Sequence, residues 1–170
     1  MELVKATAAD VDTLVELSWR TFYEAFNHLN TPENMAAYMN KAFTEEKLLA
    51  EINNDQTDFF LVRRENAIIG YMKLNRNGAQ SEFHESDSME IERIYIDGKH
   101  QGNGIGTQLL SKAKEIACQH GCKYLWLGVW ENNPGAIRFY ERNGFRVFSS
   151  HLFEMGDDMQ TDKLMICRVM

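Results

Sequence analysis

The chain has 170 residues, of which 44% are hydrophobic and 25% charged, and its formal net charge is −7 at pH 7. This length and composition predict a single globular domain over residues 1–170. No apolar run approaches the roughly 20 residues that span a bilayer, so we expect no membrane partner. The acidic balance argues against a nucleic-acid partner, which clustered Lys and Arg would bind, and suits a cationic small molecule better.

Three sparse cysteines, Cys118, Cys122 and Cys167, do not form a disulfide framework. The segment Met1–Lys5 lacks the basic and apolar regions of a signal peptide, so we expect a cytoplasmic protein. No cluster of ligating residues adjoins the cysteines, and we expect no metal site. A monomer and a homodimer both fit these observations.

The N-terminal half predicts helices followed by a β-hairpin. Apolar spacing from Ala9 to Phe26 indicates an amphipathic helix. Two further helix starts have a Thr cap followed by proline or acidic residues: Thr31-Pro32-Glu33 and Thr44-Glu45-Glu46. The hairpin is predicted from two β-like runs, the turn between them and the polar loop that follows: 59–62, 68–74, 64–66 and 76–88.

The C-terminal half alternates strands and helices. The predicted elements, in order, are a strand, a helix, a strand, a short helix and two strands: Met89–Ile96, 105–120, Leu125–Trp130, 133–143, 145–154 and 163–169. The whole order predicts an α/β fold with a mixed sheet and helices on both faces.

A glycine-rich loop, Gln-Gly-Asn-Gly-Ile-Gly over residues 101–106, joins the first of these strands to its helix. Glycines let the backbone approach a ligand, and the free amides of a helix's first turn bind phosphate. The spacing fits neither a dinucleotide fingerprint nor a Walker loop. A tight connection without a ligand is the alternative. The candidate phosphate-binding residues are Gln101, Gly102, Asn103, Gly104, Ile105, Gly106 and Thr107.

Two motifs resemble a known family. Gln101-x-x-Gly104-x-Gly106 is similar to the acyl-CoA motif of the GNAT N-acetyltransferases, and Asn133-x-x-Ala136-x-x-x-Tyr140 is similar to a second element of that family. The resemblance implies the GNAT fold, with a mostly antiparallel sheet and two splayed strands, and acetyl-CoA as cosubstrate. Further segments resemble the PaiA-type spermidine/spermine N-acetyltransferases, which implies polyamine acceptors: 31–35, 91–96, 126–131 and 160–162.

The resemblance also implies roles for individual residues. The strand before the loop, here Ile94, Tyr95 and Ile96, would pair with the pantetheine arm of the cosubstrate. Tyr140 would protonate the departing thiolate, and the alternative is a core tyrosine in an aromatic cluster. Asn133 would face the cosubstrate, although a helix cap explains it as well.

Charged residues supply the remaining candidates. Arg142, together with Arg138, could reach the CoA phosphates, and a solvated helix surface is the alternative. Glu92 is the candidate base that takes the amine's proton, and the resemblance favours it over Glu90; an exposed acidic strand face is the alternative. Regular alternation puts both carboxylates on the face of Ile94 and Ile96 unless a bulge intervenes.

The remaining polar residues are less informative. Glu82, Glu85 and Asp87 either steer a polycation or lie in a solvated loop. Four histidines receive no role: His28, His84, His100 and His151.

The predicted reaction is direct attack of an amine on acetyl-CoA in a ternary complex. No cysteine lies in the motifs, which argues against an acyl-enzyme. The alternatives are an acetyl-CoA-binding regulatory module with little catalysis, or an N-acetyltransferase of protein N-termini or aminoglycosides.

Overall fold

The structure is a computed structural model that describes residues 1–169. A seven-stranded sheet has the order β1-β2-β3-β4-β5-β7-β6. β4 and β5 pair in parallel, and every other neighbouring pair is antiparallel. The strands are β1 Glu2–Lys5, β2 Thr57–Arg64, β3 Ala67–Arg76, β4 Ser88–Ile96, β5 Tyr124–Trp130, β6 Arg146–Met155 and β7 Asp158–Arg168. The α-helices are α1 Val11–Phe26, α2 Pro32–Ala42, α3 Glu45–Ile52, α4 Ile105–Gln119 and α5 Pro134–Arg142.

Helices cover both faces of this sheet, which confirms the predicted fold class. Leu110 of α4 and Ile137 of α5 are buried in one core cluster with residues of the central strands. Leu14 of α1 and Leu48 of α3 are buried against β2 and β3 on the other face. Met39 of α2 extends that second layer by packing with the C-terminal part of α1.

The predicted helix boundaries follow from local capping. The Thr31 hydroxyl accepts a hydrogen bond from the Asn34 amide at 3.2 Å, and Thr44 does the same for Lys47 at 3.2 Å. Each cap satisfies an amide that has no partner inside its helix. Gly121, with a φ of 74°, follows α4 in the left-handed region that favours glycine.

Two strand predictions need correction. β1 was not predicted, because its four residues carry too little pattern; pairing with β2 at the sheet edge defines it. β7 begins at Asp158 rather than at 163, because its polar first residues hide the pattern. β6 and β7 pair as a hairpin around Gly156, which has a φ of 65°.

β4 and β5 separate soon after they begin to pair. Their register runs only from Ser88 opposite Tyr124 to Glu90 opposite Trp126. Within residues 1–169, β5 forms no ladder with β4 beyond Glu90, so one backbone edge of β4 is left open. The splayed strands implied by the resemblance are therefore present. None of the helices in these residues combines the length and apolar character that a membrane span requires.

Candidate active site

A cavity of about 990 Å³ lies where β4 and β5 separate. Tyr140 of α5 lines it from the face of the sheet that α4 and α5 cover, and Phe22 of α1 and Tyr38 of α2 line it from the opposite face. The opening between the strands therefore connects the two faces. Twelve of the predicted site residues line this cavity: Glu92, Ile94, Tyr95, Ile96, Gln101, Gly102, Gly104, Ile105, Gly106, Thr107, Asn133 and Tyr140.

The glycine loop has open space above it. Gly102 and Gly104 have φ values of 78° and 75°, and a Cβ built on either would meet nothing within 4 Å. Gly104 is the N-cap of α4, so no side chain caps the helix's first amides. Unpaired amides beside open space fit a phosphate group. The Gln101 side chain donates to the Ile96 carbonyl at 2.9 Å and closes the loop.

Gly106 has a different reason to be glycine. A Cβ at this position would lie 3.0 Å from the Phe139 ring, which is closer than side chains normally approach. Gly106 therefore lets α4 pack tightly on α5. Only two of the three alternating glycines leave open space above the loop.

The open edge of β4 is held by packing on both of its faces. Ile94 and Ile96 pack with Ile105 of α4 in one core cluster. Tyr95 points to the other face, where its ring centroid lies 5.8 Å from that of Tyr71 and 6.3 Å from that of Phe22. This packing fixes a strand edge that β5 leaves unpaired, and its backbone groups could pair with the amide groups of a pantetheine arm.

A β-bulge changes where the β4 carboxylates point. Leu74 pairs with Ile91 and the preceding Lys73 pairs with Arg93, so Glu92 is the extra residue of a bulge. Glu90 and Glu92 both accept hydrogen bonds from the side-chain Nδ2 of Asn75, on the face of the sheet opposite Ile94. The expectation that these carboxylates share a face with Ile94 and Ile96 held only without a bulge, and the bulge at Glu92 puts them on the opposite face.

Glu92 belongs to a charge network that we call the bulge network, made of Glu51, Lys73, Glu92 and Arg93. Glu92 lies 2.6 Å from Lys73 Nζ and 3.2 Å from Arg93 Nη2. Glu51 of α3 approaches the same two cations, at 3.0 Å and 3.1 Å. Burial raises the pKa of Glu92, but Arg93 and Lys73 outweigh it and leave the pKa below its usual value. A carboxylate held in this way is a weak proton acceptor.

Glu90 lies in a different electrostatic environment from Glu92. It is 3% exposed, and its carboxylate accepts hydrogen bonds from the Ser81 amide at 2.8 Å and from Asn75 at 3.2 Å. Burial raises its pKa despite these bonds. Glu90 also lines the cavity, so this end contains two carboxylates with pKa values shifted in opposite directions.

Tyr140 is both a cavity residue and part of an aromatic cluster. Its ring centroid lies 5.2 Å from that of Phe139 and 5.8 Å from that of Phe145. Burial raises the pKa of Tyr140 to about 12, so the phenol keeps its proton at neutral pH. The catalytic and core interpretations of this tyrosine are therefore compatible.

The position of Asn133 fits both of its predicted roles. Its Oδ1 accepts from the Ala136 amide at 3.1 Å, which caps α5, and the residue also lines the cavity.

Arg142 is exposed in the last turn of α5, outside the cavity lining. Asn103 donates to the Gln101 carbonyl at 3.3 Å and lines a neighbouring pocket instead. Contacts of Asn103 and Arg142 with CoA remain predictions.

His151 of β6 is a cavity residue to which the sequence assigned no role. Its Nδ1 hydrogen-bonds the Glu82 carboxylate, and its Nε2 lies 3.6 Å from Asp162 Oδ2. His151 pairs with Asp162 across the β6–β7 ladder. The spacing of these residues in the sequence did not indicate the cluster, because the strand register brings them together.

Residues 1–169 contain no group of three or more acidic, His or Cys side chains that could hold a metal ion.

Comparisons with known proteins indicate one family and one fold. Residues 11–145 match the sequence model of the Acetyltransferase (GNAT) family. An uncharacterized N-acetyltransferase of Lactobacillus delbrueckii subsp. lactis is 37% identical over 165 residues, which cover 97% of this chain and 95% of that protein. A spermidine N(1)-acetyltransferase of Thermoplasma acidophilum is 24% identical over 151 residues, covering 86% and 89% respectively. The solved PaiA N-acetyltransferase from Thermoplasma acidophilum, in complex with coenzyme A, superposes with a TM-score of 0.81 at 23% identity and covers 98% of both chains.

Proposed function

The chain belongs to the GNAT acetyltransferase family, and from that premise we propose that it transfers the acetyl group of acetyl-CoA to a polyamine, with spermidine and spermine as the leading acceptors. Relatives named as spermidine or spermine acetyltransferases support this choice at 24% and 29% identity. The two reactants are small molecules, and the enzyme is a monomer or a homodimer in this proposal.

The observation that carries the proposal is the make-up of the cavity on the α1/α2 face. Glu90 and Asp162 contribute carboxylates there, and Trp126 and Tyr38 contribute aromatic walls. Carboxylates bind ammonium groups, while aromatic faces bind both cations and methylene chains. A chain of methylenes with a positive charge at intervals can use both kinds of surface.

The other side of the opening suits acetyl-CoA. In the proposal its pyrophosphate rests on the amides of residues 102–107, and its pantetheine arm pairs with the edge of β4 at Ile94–Ile96. Acetyl-CoA supplies the thioester that is transferred. The acetyl group would then lie in the opening between the strands, within reach of an amine on the α1/α2 face.

We assign proton donation to Tyr140 and polarisation of the thioester carbonyl to a backbone amide of β4. A pKa of about 12 makes Tyr140 a weaker acid than a free thiol. The same desolvation raises the thiolate's proton affinity, because the thiolate forms in a cavity from which the substrates exclude water. Glu92, whose pKa is lowered, is better suited in this proposal to attract the ammonium group than to remove its proton.

A CoA-release assay over a panel of acceptors tests the proposal. We expect spermidine and spermine to give higher kcat/KM values than aminoglycosides or peptides with free N-termini. A clear preference for aminoglycosides or peptides would replace the polyamine assignment. Tight acetyl-CoA binding without release in the presence of any amine would favour the regulatory module instead.

A further inference from the structure

His151 lines the cavity on the α1/α2 face, where the proposed function puts the amine. A carboxylate lies beside each of its ring nitrogens. Glu82, from the loop between β3 and β4, bonds to Nδ1, and Asp162 of β7 approaches Nε2. The side chain is partly exposed, at 23%, so a substrate can reach the ring. This arrangement is independent of the motifs in the glycine loop and α5.

The hydrogen bond to Glu82 determines which nitrogen is free. An ionised carboxylate only accepts hydrogen bonds, so Nδ1 must carry the proton of the neutral ring. Nε2 then carries the lone pair. At 3.6 Å from Asp162, Nε2 is beyond hydrogen-bond distance of that carboxylate, so the lone pair remains available.

The β4 carboxylates are less suited to take a proton. Glu92 accepts from Asn75 at 2.5 Å and faces two cations of the bulge network. Glu90 accepts from Ser81 and Asn75. The cations beside Glu92 hold its pKa below the usual value, so Glu92 binds a proton weakly. Burial raises the pKa of Glu90, but Glu90 is only 3% exposed, so an amine reaches it less easily than it reaches the ring of His151.

We propose that His151, oriented by Glu82 and faced by Asp162, is the base that removes the proton from the acceptor ammonium group. This inference rests on the proposed function, because it needs a protonated amine as acceptor. It assigns a third role at the cavity, beside acid catalysis by Tyr140 and cation attraction by Glu92.

The protons balance as follows. Nε2 of neutral His151 takes one proton from R–NH₃⁺, and the resulting amine attacks the thioester carbon. The C–N bond forms and the C–S bond breaks. A second nitrogen proton ends on sulfur, because Tyr140 donates to the thiolate and regains a proton from the nitrogen. The third stays on the amide, and His151 returns its proton to solvent.

Several titratable groups surround the ring of His151. Glu82 and Asp162 are the carboxylates that contact it, and Glu90 lines the same end of the cavity. From the helical layer, Tyr38 of α2 is the titratable group near Asp162. Burial raises the pKa of Asp162, and His151 partly reverses this shift.

The test is the His151→Gln variant, assayed with the best amine at about pH 7 and about pH 10. General-base catalysis contributes roughly 10²-fold or more, so kcat at pH 7 should fall on the order of 10²-fold while the KM for acetyl-CoA stays within about threefold. Near pH 10 the amine, with a reference pKa of about 10, loses its proton in solution. The defect should therefore shrink by about tenfold or more.

Three controls make the result decisive. His84→Gln, on the same loop as Glu82 but exposed and outside the cavity, should keep full activity at both pH values. Glu82→Gln should show a smaller defect of the same pH dependence. Nitrogen-15 NMR of the neutral ring should show a protonated Nδ1 and an unprotonated Nε2.

The inference fails in three distinguishable ways. Normal kcat in His151→Gln, or a defect equal at both pH values, would leave His151 as a wall of the site while the proposed function stands. A ring protonated on Nε2 would contradict the geometry directly. Absence of turnover by the wild-type protein with every amine would remove both the inference and the proposed function.

Discussion

At the residue scale, the surroundings of two candidate side chains in the cavity shift their pKa values in opposite directions, which the sequence alone could not show. Tyr140 keeps its proton because burial raises its pKa to about 12. Glu92 keeps its negative charge because Lys73 and Arg93 lie beside it. A proton donor and a fixed anion at separate points of one cavity suit a reaction that starts from an ammonium ion and ends with a thiol.

Removing the Tyr140 hydroxyl tests the proposed proton donor. Tyr140→Phe keeps the ring that packs on Phe139 and Phe145, so the fold and the CoA affinity should change little. The value of kcat should fall by roughly 10²-fold, since the thiolate would leave without a proton. Steady-state kinetics and calorimetry measure the two effects separately. The matched control is Tyr23→Phe on the exposed surface of α1, and full turnover by Tyr140→Phe would end the acid assignment.

The bulge network makes a prediction about acid stability. The pKa of Glu92 is lower in the folded protein than in the unfolded chain, so the unfolded chain binds more protons between the two values. Stability from this group is therefore complete above the unfolded pKa of about 4.3 and is lost as pH falls through the lowered folded value. Glu92→Gln should lower the free energy of unfolding by about 3 kcal/mol at pH 7, with a smaller difference in acid.

Urea unfolding at several pH values measures this difference. Glu16→Gln, on the exposed side of α1, is the control and should change neither the midpoint nor its pH dependence. A Glu92→Gln curve that runs parallel to the wild-type curve down to about pH 3 would show that the network does not hold Glu92 ionised.

At the element scale, the sequence predicted the features that depend only on residues close together in the chain. The caps Thr31 and Thr44 and the glycine loop follow from side chains within a few residues of one another, and all lie where the sequence predicted them. The position of Glu92 in a bulge and the pairing of His151 with Asp162 depend on the register between strands. The sequence alone does not contain that register in any short pattern, so the amine end of the site was only partly predictable.

The glycine loop supports a matched pair of substitutions. Gly104 and Gly121 both have a left-handed φ, of 75° and 74°, and both have open space where a Cβ would lie. Replacing either by Glu should cost a similar amount, roughly 1–2 kcal/mol of backbone strain, because the new side chain is held in the left-handed region that favours glycine. Only Gly104→Glu puts a carboxylate above the amides of α4.

The CoA affinities of these two variants, measured by calorimetry, decide the phosphate assignment. Gly104→Glu should weaken acetyl-CoA binding by at least about 100-fold, because the carboxylate competes for the anion site. Gly121→Glu should bind as the wild-type protein does. Equal losses in the two variants would attribute the effect to stability, and undiminished binding by Gly104→Glu would refute the loop assignment.

At the scale of the whole molecule, the proposed function depends on one topological feature. The sheet is continuous from β1 to β6, but β4 and β5 stay paired only as far as Glu90 and Trp126. In the proposed function, this opening is where a cosubstrate on the α4/α5 face would meet an amine on the α1/α2 face. Neither side would then need to hold the acetyl group covalently, since both substrates would reach the same opening.

Initial-rate kinetics test this central claim most directly. CoA release is measured while acetyl-CoA and spermidine are varied together over a grid of concentrations. Direct transfer through the opening predicts double-reciprocal lines that intersect, because both substrates must be bound before either product leaves. Parallel lines, which indicate a covalent acyl-enzyme, would contradict the account, and so would a release rate that does not depend on the amine.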